Sequence, residues 1–336
     1  MLNTSHSIIF ISGGIGDQLL HFNQIRAIAR KSRIGKVDVA CLNIDIMKKI
    51  ALRCDWVNEI IDLSPSRNLI NIVRYFKFLL YIKRKKYTHA YIFHPSTSFK
   101  FTAYLSRISN RIGFIGSFLD KYLVSEKIEE KSCSKINVWG HRPYVKNIED
   151  FLSNNNFQLQ NKSSTILSDK NNQKKIYNLF KQFPKPWFVI NLYAKDDARR
   201  WPLNHAANVI YNCSKKFKGS YFLNSARDSV EYHRNLISKL KSKNKNIILT
   251  NDYFEDILMD IDLYSMADFY LGVNSFSAHL AFNCNLFSFV LYGKKEDILS
   301  YRGKTISFFP KSGKYLKHIK EKNIIDKIET KLNSLS

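Results

Sequence analysis

A glycine-rich turn that ends in a carboxylate lies near the start of the chain. Residues 9–20, IFISGGIGDQLL, run from an apolar segment through Gly13, Gly14 and Gly16 to Asp17. A dinucleotide-binding turn needs the spacing GxGxxG, and here leucine stands where the third glycine belongs. A P-loop is excluded because no Gly-Lys-Ser/Thr follows. Two roles stay open for Asp17, a cap of the following helix or a general base exposed at a cleft.

A charged loop follows a predicted strand in the second half of the chain. Residues 191–202 read NLYAKDDARRWP and lead into a helical pattern. Such a loop, next to a helix N-terminus, is where α/β proteins hold phosphates. Arg199 and Arg200 could clamp a diphosphate through charge-assisted hydrogen bonds. The alternative is a solvated loop in which Trp201 packs.

A third segment, residues 270–281 (YLGVNSFSAHLA), joins a strand to a helix. Asn274 and Ser275 lie at this junction, where the Ser275 side chain can cap the helix and the helical N–H groups can bind an anion. His279 lies one turn further along. Its two interpretations are a core histidine satisfied by the backbone and a ligand-binding residue.

Together these segments resemble the lipopolysaccharide heptosyltransferases, the ADP-heptose glycosyltransferases of family 9. That family has Gly-Asp entering the first helix, as Gly16 and Asp17 do here. Its Lys-x-Trp-Pro element is matched by residues 199–202, and its Gly-Val-Asp-Thr-Gly-x-x-His-Leu-Ala element by residues 272–281. The next strand ends in Tyr/Phe-Gly, as it does at residues 292–293. The order and spacing agree over nearly the whole chain.

The resemblance implies an inverting glycosyltransferase that moves heptose from ADP-heptose onto a lipopolysaccharide or lipooligosaccharide core, or a related glycan. It makes Asp17 the catalytic base for the acceptor hydroxyl. Because no Asp-x-Asp pair stands in a metal-binding setting, we expect no metal and no cofactor apart from the donor substrate. The other implied site residues are Gly14, Gly16 and Gln18 on the acceptor side, and Lys195, Arg199, Arg200, Asn274, Ser275, Phe276 and His279 on the donor side.

The chain departs from the family pattern at three places. The family's lysine is Arg199, its Asp-Thr-Gly is residues 274–276, and the proline that usually follows Gly-Asp is Asn23. The lost carboxylate and glycine lie where the family contacts the donor phosphate and sugar. Two alternatives therefore stay open, a related transferase that uses another nucleotide sugar and an inactive paralogue.

The elements that must position these residues are predicted to be strands alternating with helices. Residues 7–12 read as a strand and 17–32 as one amphipathic helix, and the alternation restarts with a strand at 187–193 and a helix at 202–217. Such alternation predicts parallel βαβ units in doubly wound sheets. The resemblance makes this the GT-B architecture, an α/β fold of two Rossmann-like domains facing a central cleft.

A polar segment at residues 153–175 marks the predicted domain boundary, although its STILSD portion (164–169) could form a short strand. We predict an acceptor-binding domain over residues 1–160 and a nucleotide-sugar domain over residues 161–336. The final helix, 318–335, is expected to pack back on the first domain. Residues 140–152 resemble the family's helix before the interdomain linker.

The net charge of +25, from 53 basic and 28 acidic residues, favours polyanionic partners. A nucleic-acid-binding protein is the non-enzyme alternative, but the chain has no helix-turn-helix, RRM or zinc signature, and we expect no nucleic acid. The expected partners are a nucleotide-sugar donor and an anionic glycolipid or glycan acceptor. Residues 67–87 are basic, aromatic and apolar, which fits either an anionic membrane surface or an ordinary helix with a lysine-rich face.

The five cysteines form no CxxC pair, which predicts buried thiols in a reducing compartment and no structural zinc. The N-terminus lacks the basic segment of a signal peptide, and no window is apolar over the ~18 residues of a spanning helix. We therefore expect a cytoplasmic protein, peripheral on the inner face of the bacterial inner membrane.

Overall fold

The computed structural model describes residues 6–67, 71–129, 142–160, 163–224, 229–240, 246–293, 304–311 and 315–334. The chain divides into two compact units, Met1–Asn161 and Lys162–Ser336. This division lies within the polar segment that marks the boundary in the sequence. Cys133 and the first two residues of segment 140–152 lie outside the described residues.

The first unit is an α/β domain. Its elements are β1 (Ser7–Phe10), α1 (Ile15–Leu19), α2 (Phe22–Lys31), β2 (Val37–Cys41), α3 (Ile44–Ala51), β3 (Val57–Asp62), α4 (Ser64–Arg67), α5 (Ile72–Arg84), β4 (His89–Ile92), α6 (Thr97–Leu105), β5 (Asn110–Gly113), α7 (Asp120–Leu123), β6 (Glu126–Lys127) and α8 (Arg142–Asn154). Among the described residues the six strands pair in parallel, in the order β3-β2-β1-β4-β5-β6. This is the Rossmann strand order, in which the chain reverses direction across the sheet between β1 and β4.

The second unit repeats this plan. Its helices and strands are α9 (Lys170–Phe180), β7 (Trp187–Asn191), α10 (Leu203–Lys216), β8 (Ser220–Leu223), α11 (Val230–Leu240), β9 (Ile247–Leu249), α12 (Ile257–Met266), β10 (Phe269–Val273), α13 (Phe276–Asn283), β11 (Phe287–Leu291), β12 (Thr305–Phe308) and α14 (Glu321–Asn333). The described strands are again parallel, in the order β12-β11-β10-β7-β8-β9. Read from β9, this is the same Rossmann order, with the reversal between β7 and β10. The predicted α/β class with two doubly wound domains is confirmed.

The final helix packs within the second unit. Ile324, Ile325 and Ile328 of α14 belong to the same buried cluster as Trp201 and Val209. The apolar face of α14 is therefore used beside α10. The core of its own unit buries this apolar face, and the expectation that the helix packs back on the first domain stays a prediction.

Two secondary-structure predictions are wrong. The helix predicted over 17–32 is two helices, because the His21 amide donates to Gln18 O at 3.2 Å, three residues back, and this tight turn ends α1. Residues 164–169 form no strand. The amides of Thr165 and Ile166 both donate to Asn283 O at the end of α13, so the segment caps a helix instead of joining a sheet.

The described cysteines, Cys41, Cys54, Cys213 and Cys284, are buried and unbridged, as the sequence predicts. Burial raises the pKa of the Cys41 and Cys213 thiols to about 12. None of the helices in the described residues combines the length and the apolar composition needed to cross a membrane.

Candidate functional site

The glycine turn of the first unit carries Asp17 from the end of β1 into α1. Gly13 has a φ of 105°, which favours glycine because it has no Cβ. Gly14 occupies the N-cap position of α1, and its amide donates to Asp17 Oδ2 at 2.9 Å. The half-buried carboxylate therefore caps its own helix. The same bond fixes its orientation at the β1–β4 reversal, so the two roles of Asp17 are compatible.

Gln18 is buried directly after Asp17. Its Nε2 donates to Gly13 O at 3.1 Å and so braces the turn. Its Oε1 is buried and has no hydrogen-bond partner among the described residues. Gly16 accepts the Leu20 amide within the first helical turn. Of the predicted acceptor-side residues, Gly14 and Gln18 therefore act at least as structural supports of Asp17.

The loop after β4 lies on the other side of the same reversal and was not predicted to belong to the site. His94 Nδ1 accepts the Ser96 amide at 3.1 Å, and the His94 ring lies 5.5 Å from that of Phe99. The sequence signal was the polar run His-Pro-Ser-Thr-Ser directly after an apolar strand. Because ligands of open parallel sheets bind where the strand order reverses, this loop belongs to the candidate acceptor site.

Arg200 is folded back on its own loop after β7. Its guanidinium donates to Ala194 O at 3.2 Å and to Tyr193 Oη at 3.3 Å, lies 4.5 Å from the centre of the Tyr193 ring, and forms an ion pair with Asp197 at 2.9 Å. Trp201 is fully buried beneath the loop. The structure thus gives Arg200 a loop-stabilising position rather than that of an open phosphate clamp.

Arg199 and Lys195 remain available for an anionic ligand. Both side chains are exposed, and Arg199 Nε forms a 3.2 Å ion pair with Asp196, which is also exposed. An exposed ion pair of this kind contributes little free energy, so a phosphate can replace the carboxylate at small cost. Asp196 and Asp197 pair with different arginines and form no carboxylate pair.

The residues after β10 leave buried polar atoms without partners. Asn274 is 3% exposed, and its backbone N–H donates to Leu291 O at 3.0 Å. Asn274 Oδ1 and Ser275 Oγ are buried and have no hydrogen-bond partner among the described residues. The prediction that the Ser275 side chain caps α13 is wrong, since Ser275 occupies the N-cap position without a side-chain cap bond. Unpartnered buried polar atoms are costly, which favours a polar ligand at this position.

The two remaining donor-side residues lie on α13 itself. Phe276, its first residue, is half-buried, so an aromatic ring stands where the family has glycine. His279 is 6% exposed, and its carbonyl accepts Asn283 Nδ2 at 2.8 Å. Its burial fits the interpretation of a core histidine.

Sequence reasoning missed a row of asparagines along the carboxyl edge of the second sheet. Asn191 ends β7, Asn224 follows β8 and Asn274 follows β10. Asn191 Nδ2 donates to Ser277 Oγ at 2.7 Å, and Asn224 Oδ1 accepts Tyr264 Oη at 3.1 Å. The available signal was an asparagine at the end of three apolar strands. Their alignment needs the strand order, which places β8, β7 and β10 side by side.

Asp260 is joined to this row. Asn224 Nδ2 donates to Asp260 Oδ1 at 2.5 Å. Burial raises the pKa of Asp260 to about 7, and the negative charge of Asp256 adds to this effect, while the bond from Asn224 opposes it. The bond from Asn224 places this carboxyl group at the same edge of the sheet as the candidate donor site.

At Gly272 the backbone of β10 lies close to the Tyr270 side chain and to the Asn191 carbonyl. A Cβ on Gly272 would lie 2.0 Å from Tyr270 Oη and 2.5 Å from Asn191 O. Only glycine therefore lets the buried Tyr270 ring lie across β10 at this level. Within the described ranges, no group of three or more His, Cys, Asp or Glu side chains is arranged to hold a metal ion.

No protein-family model and no curated protein sequence matches the chain. Solved structures do match it. The glycosyl transferase family 9 protein of Veillonella parvula DSM 2008 aligns with a TM-score of 0.78 at 12% identity, over 99% of this chain and 98% of that one. The chain has the fold of this glycosyltransferase.

Two Escherichia coli proteins match in the same way. ADP-heptose LPS heptosyltransferase II aligns with a TM-score of 0.73 at 14% identity, over 98% of this chain and 99% of that one. Heptosyltransferase WaaC with ADP-2-deoxy-2-fluoro heptose aligns with a TM-score of 0.70 at 13% identity, over 97% of this chain and 99% of that one. The likeness extends over both units, and it confirms the GT-B fold class.

Proposed function

We propose that this protein is an inverting glycosyltransferase that moves a sugar from a nucleotide-sugar donor onto a lipopolysaccharide core or related glycan. The first candidate donor is ADP-heptose. The observation that carries the proposal is the position of the predicted residues within each sheet. Asp17 follows β1 at the first reversal, and the loop at 191–202 and Asn274 flank the second. Ligands of open parallel sheets bind at these positions.

The proposed chemistry needs one base and several hydrogen-bond donors or cations. The Asp17 carboxylate takes the proton of the acceptor hydroxyl while that oxygen attacks the anomeric carbon. The bond between this carbon and the diphosphate breaks, and the nucleoside diphosphate leaves with the electron pair. Arg199, Lys195 and the amides at the start of α13 would stabilise the charge that develops on it.

The choice of donor rests on the fold neighbours and on the buried acceptors of the second unit. One neighbour is a heptosyltransferase with a fluorinated ADP-heptose. Asn274 Oδ1 accepts hydrogen bonds but carries no charge, so it suits a sugar hydroxyl. We propose that transfer needs no metal and no cofactor, since the cations of the loop neutralise the diphosphate. Because Phe276 fills space where the family has glycine, a different nucleotide sugar is the second candidate.

We expect binding of the right donor to stabilise the protein against heating. A ligand at 100 times its Kd adds about 2.7 kcal/mol, which for a unit of this size raises the Tm by roughly 5–10 °C. Differential scanning fluorimetry with ADP-heptose, ADP-glucose, UDP-, GDP- and CMP-linked sugars measures this shift, followed by transfer assays with the best donor. A shift with another donor alone would exclude heptose. No shift with any of them, together with salt-dependent retention on DNA, would contradict the proposed function.

Arg199 and Arg200 are expected to behave differently although they are neighbours. Arg199→Ala removes one charge-assisted hydrogen bond to the diphosphate, worth about 1.5–3 kcal/mol, so the Kd for ADP should rise roughly 10- to 150-fold with little change in Tm. Arg199→Lys, which restores the family residue, should recover part of the affinity. Arg200→Ala should instead lower the Tm, because it releases the loop. Calorimetric titration with ADP checks this, and unchanged binding by Arg199→Ala would refute the role of Arg199.

We also propose that the acceptor is an anionic glycolipid or glycan bound by the first domain. A glycolipid acceptor would place the enzyme on the cytoplasmic face of a membrane, in contact through residues 67–87. Residues 68–70 of that segment lie outside the described residues. The described part includes helix α5, in which the exposed Lys83 and Arg84 occupy the last turn.

A further inference from the structure

The first unit has one extended surface that is both apolar and basic. It is formed by α5, α6 and the segment Phe118–Tyr122 at α7, and we call it the α5–α7 surface. Six of its apolar side chains expose more than half of their area. It holds eleven of the nineteen large apolar side chains that are exposed among the described residues: Ile72, Val73, Phe76, Leu80, Tyr81, Phe101, Tyr104, Leu105, Phe118, Leu119 and Tyr122.

The outward faces of α5 and α6 are neighbours because both helices cover the same face of the first sheet. Phe78 of α5 and Phe99 of α6 belong to one buried cluster. Tyr75 Oη and Thr102 Oγ1 lie 3.2 Å apart and join the two helices directly. Ile72, Val73, Phe76 and Leu80 of α5 recur at intervals of three and four along one side of the helix, opposite to the buried Phe78. The pattern thus produces a continuous outward stripe rather than scattered side chains.

A buried ion pair fixes the third part of the surface beside α6. Lys100 Nζ lies 2.7 Å from Asp120 Oδ2, and neither side chain is more than 1% exposed. Asp120 Oδ2 also accepts the amides of Gly116 and Ser117 at 2.9 and 3.0 Å. The neighbouring Phe118 is therefore presented outward from a rigid turn, and a patch of this extent indicates an interaction site.

The charge of this region has a single sign. From Leu63 to Leu119 the sequence has ten Lys or Arg residues and no Asp or Glu. The carboxylates that border α5 are neutralised, since Asp62 pairs with Arg74 at 2.9 Å and Glu59 pairs with Lys85. The following exposed cations have no ion-pair partner among the described residues: Lys77, Lys83, Arg84, Arg107 and Lys121.

We propose that the α5–α7 surface docks on an anionic lipid bilayer. A bilayer surface offers both complements at once, anionic headgroups for the cations and an apolar layer for the exposed side chains. Nucleic acid would satisfy the cations but not exposed aliphatic residues such as Ile72, Val73 and Leu119. The docking extends the contact expected at residues 67–87 to α6 and α7. This proposal deepens the proposed function. It rests on that function in one respect only, namely that the acceptor is a membrane lipid.

The experiment is co-sedimentation of the full-length protein with extruded vesicles, either of phosphatidylcholine alone or with 30% phosphatidylglycerol. We expect the unmodified protein to bind the anionic vesicles at least tenfold more tightly, with affinity falling as salt rises. The charge variant Lys77→Glu/Lys83→Glu/Arg84→Glu and the apolar variant Phe76→Ser/Leu80→Ser/Phe118→Ser should each weaken this binding at least tenfold.

Matched controls come from outside the surface. Lys218→Glu/Lys322→Glu/Lys327→Glu makes the same change in net charge on exposed lysines of the second unit. Leu52→Ser removes an apolar side chain that is 76% exposed. Both controls should bind vesicles within threefold of the unmodified protein. Circular dichroism and Tm establish that every variant is folded.

Several results would overturn the proposal. These are no preference of the unmodified protein for anionic vesicles, equal losses in the matched controls, or surface variants that bind as well as the unmodified protein. Analytical ultracentrifugation tests a second copy of the chain as the occupant. If only the apolar variant has a lower mass in solution than the unmodified protein, and its vesicle binding is unchanged, the surface is a contact between two copies. Transfer to a water-soluble acceptor separates the two proposals, because surface variants should keep that activity whether or not they bind membranes.

Discussion

Replacing Asp17 by Asn is expected to lower kcat for sugar transfer by a factor of about 10²–10⁴, the usual contribution of a general base. The amide cannot accept the proton of the acceptor hydroxyl. The asparagine side chain keeps an oxygen that can accept the hydrogen bond of the Gly14 backbone N–H, which is 2.9 Å from Asp17 Oδ2 in the unmodified protein. The helix cap should therefore survive, with KM and Tm close to those of the unmodified protein. Steady-state kinetics with the donor identified by the binding screen measures the effect.

The matched control for this prediction is Asp45→Asn. Asp45 is an exposed carboxylate in the first turn of α3, which follows β2 next to β1 in the sheet. It shares the local position of Asp17 but lies away from the β1–β4 reversal. We expect no more than a twofold change in kcat. Transfer by Asp17→Asn near the unmodified rate would leave Asp17 with its capping role alone and refute the base assignment.

Replacing Lys100 by Met is expected to destabilise the first unit by about 3–5 kcal/mol, the usual effect of removing one partner of a buried ion pair. Asp120 would be left buried without its cation, although the Gly116 and Ser117 amides still donate to it. Urea unfolding followed by hydrogen exchange of the peptides of α6 measures this unit. Lys127→Met is the control, because it removes an exposed ion pair with Glu129 and should cost less than about 1 kcal/mol.

The pH dependence of this effect has a definite sign. Burial alone would raise the pKa of Asp120, but the bond from Lys100 and that from the Gly116 amide hold this pKa below its usual value. The stabilisation is therefore complete above the unfolded pKa of about 4 and is lost as pH falls through the lower folded pKa. In Lys100→Met the remaining carboxyl group protonates more readily, so the loss should shrink between pH 7 and pH 4.

Two further results bear on the same pair. The double variant Lys100→Met/Asp120→Asn removes both charges, and it should recover part of the stability that Lys100→Met loses. A Lys100→Met loss as small as that of Lys127→Met would show that the pair contributes little. Because α7 carries part of the α5–α7 surface, we also expect Lys100→Met to weaken binding to anionic vesicles.

The sequence predicted where the candidate site residues lie relative to the strands better than it predicted which groups they contact. Alternating apolar and helical patterns were sufficient to place Asp17 after the first strand and Arg199 after the first strand of the second domain, since both follow from local periodicity. The break between α1 and α2 was missed, because it depends on a tight turn at His21 that no periodicity reports. The folding back of Arg200 was missed for a similar reason, as its partners are carbonyls and a ring within its own loop.

The Ser275 prediction shows where local rules fail. Serine before a helix is a favoured N-cap, and Ser275 does occupy that position, but its hydroxyl makes no cap bond. This oxygen is buried directly after β10, as is the unpartnered Asn274 Oδ1. The preference for serine at N-cap positions describes what most helices do. It does not report a helix start at which the serine hydroxyl makes no cap bond, as at this candidate ligand site.

The sequence by itself determined the α/β class, the two domains, the glycine turn that precedes Asp17 and the uniform positive charge between Leu63 and Leu119. These follow from composition and short-range periodicity. Only the tertiary structure decided which residues meet. Asn191 and Asn274 are 83 positions apart, and they come together because β7 and β10 pair at the reversal of the strand order. Likewise α5 and α6 form one surface only because both pack on one face of the first sheet. Contacts between distant segments depend on strand order and helix packing, which no local pattern encodes.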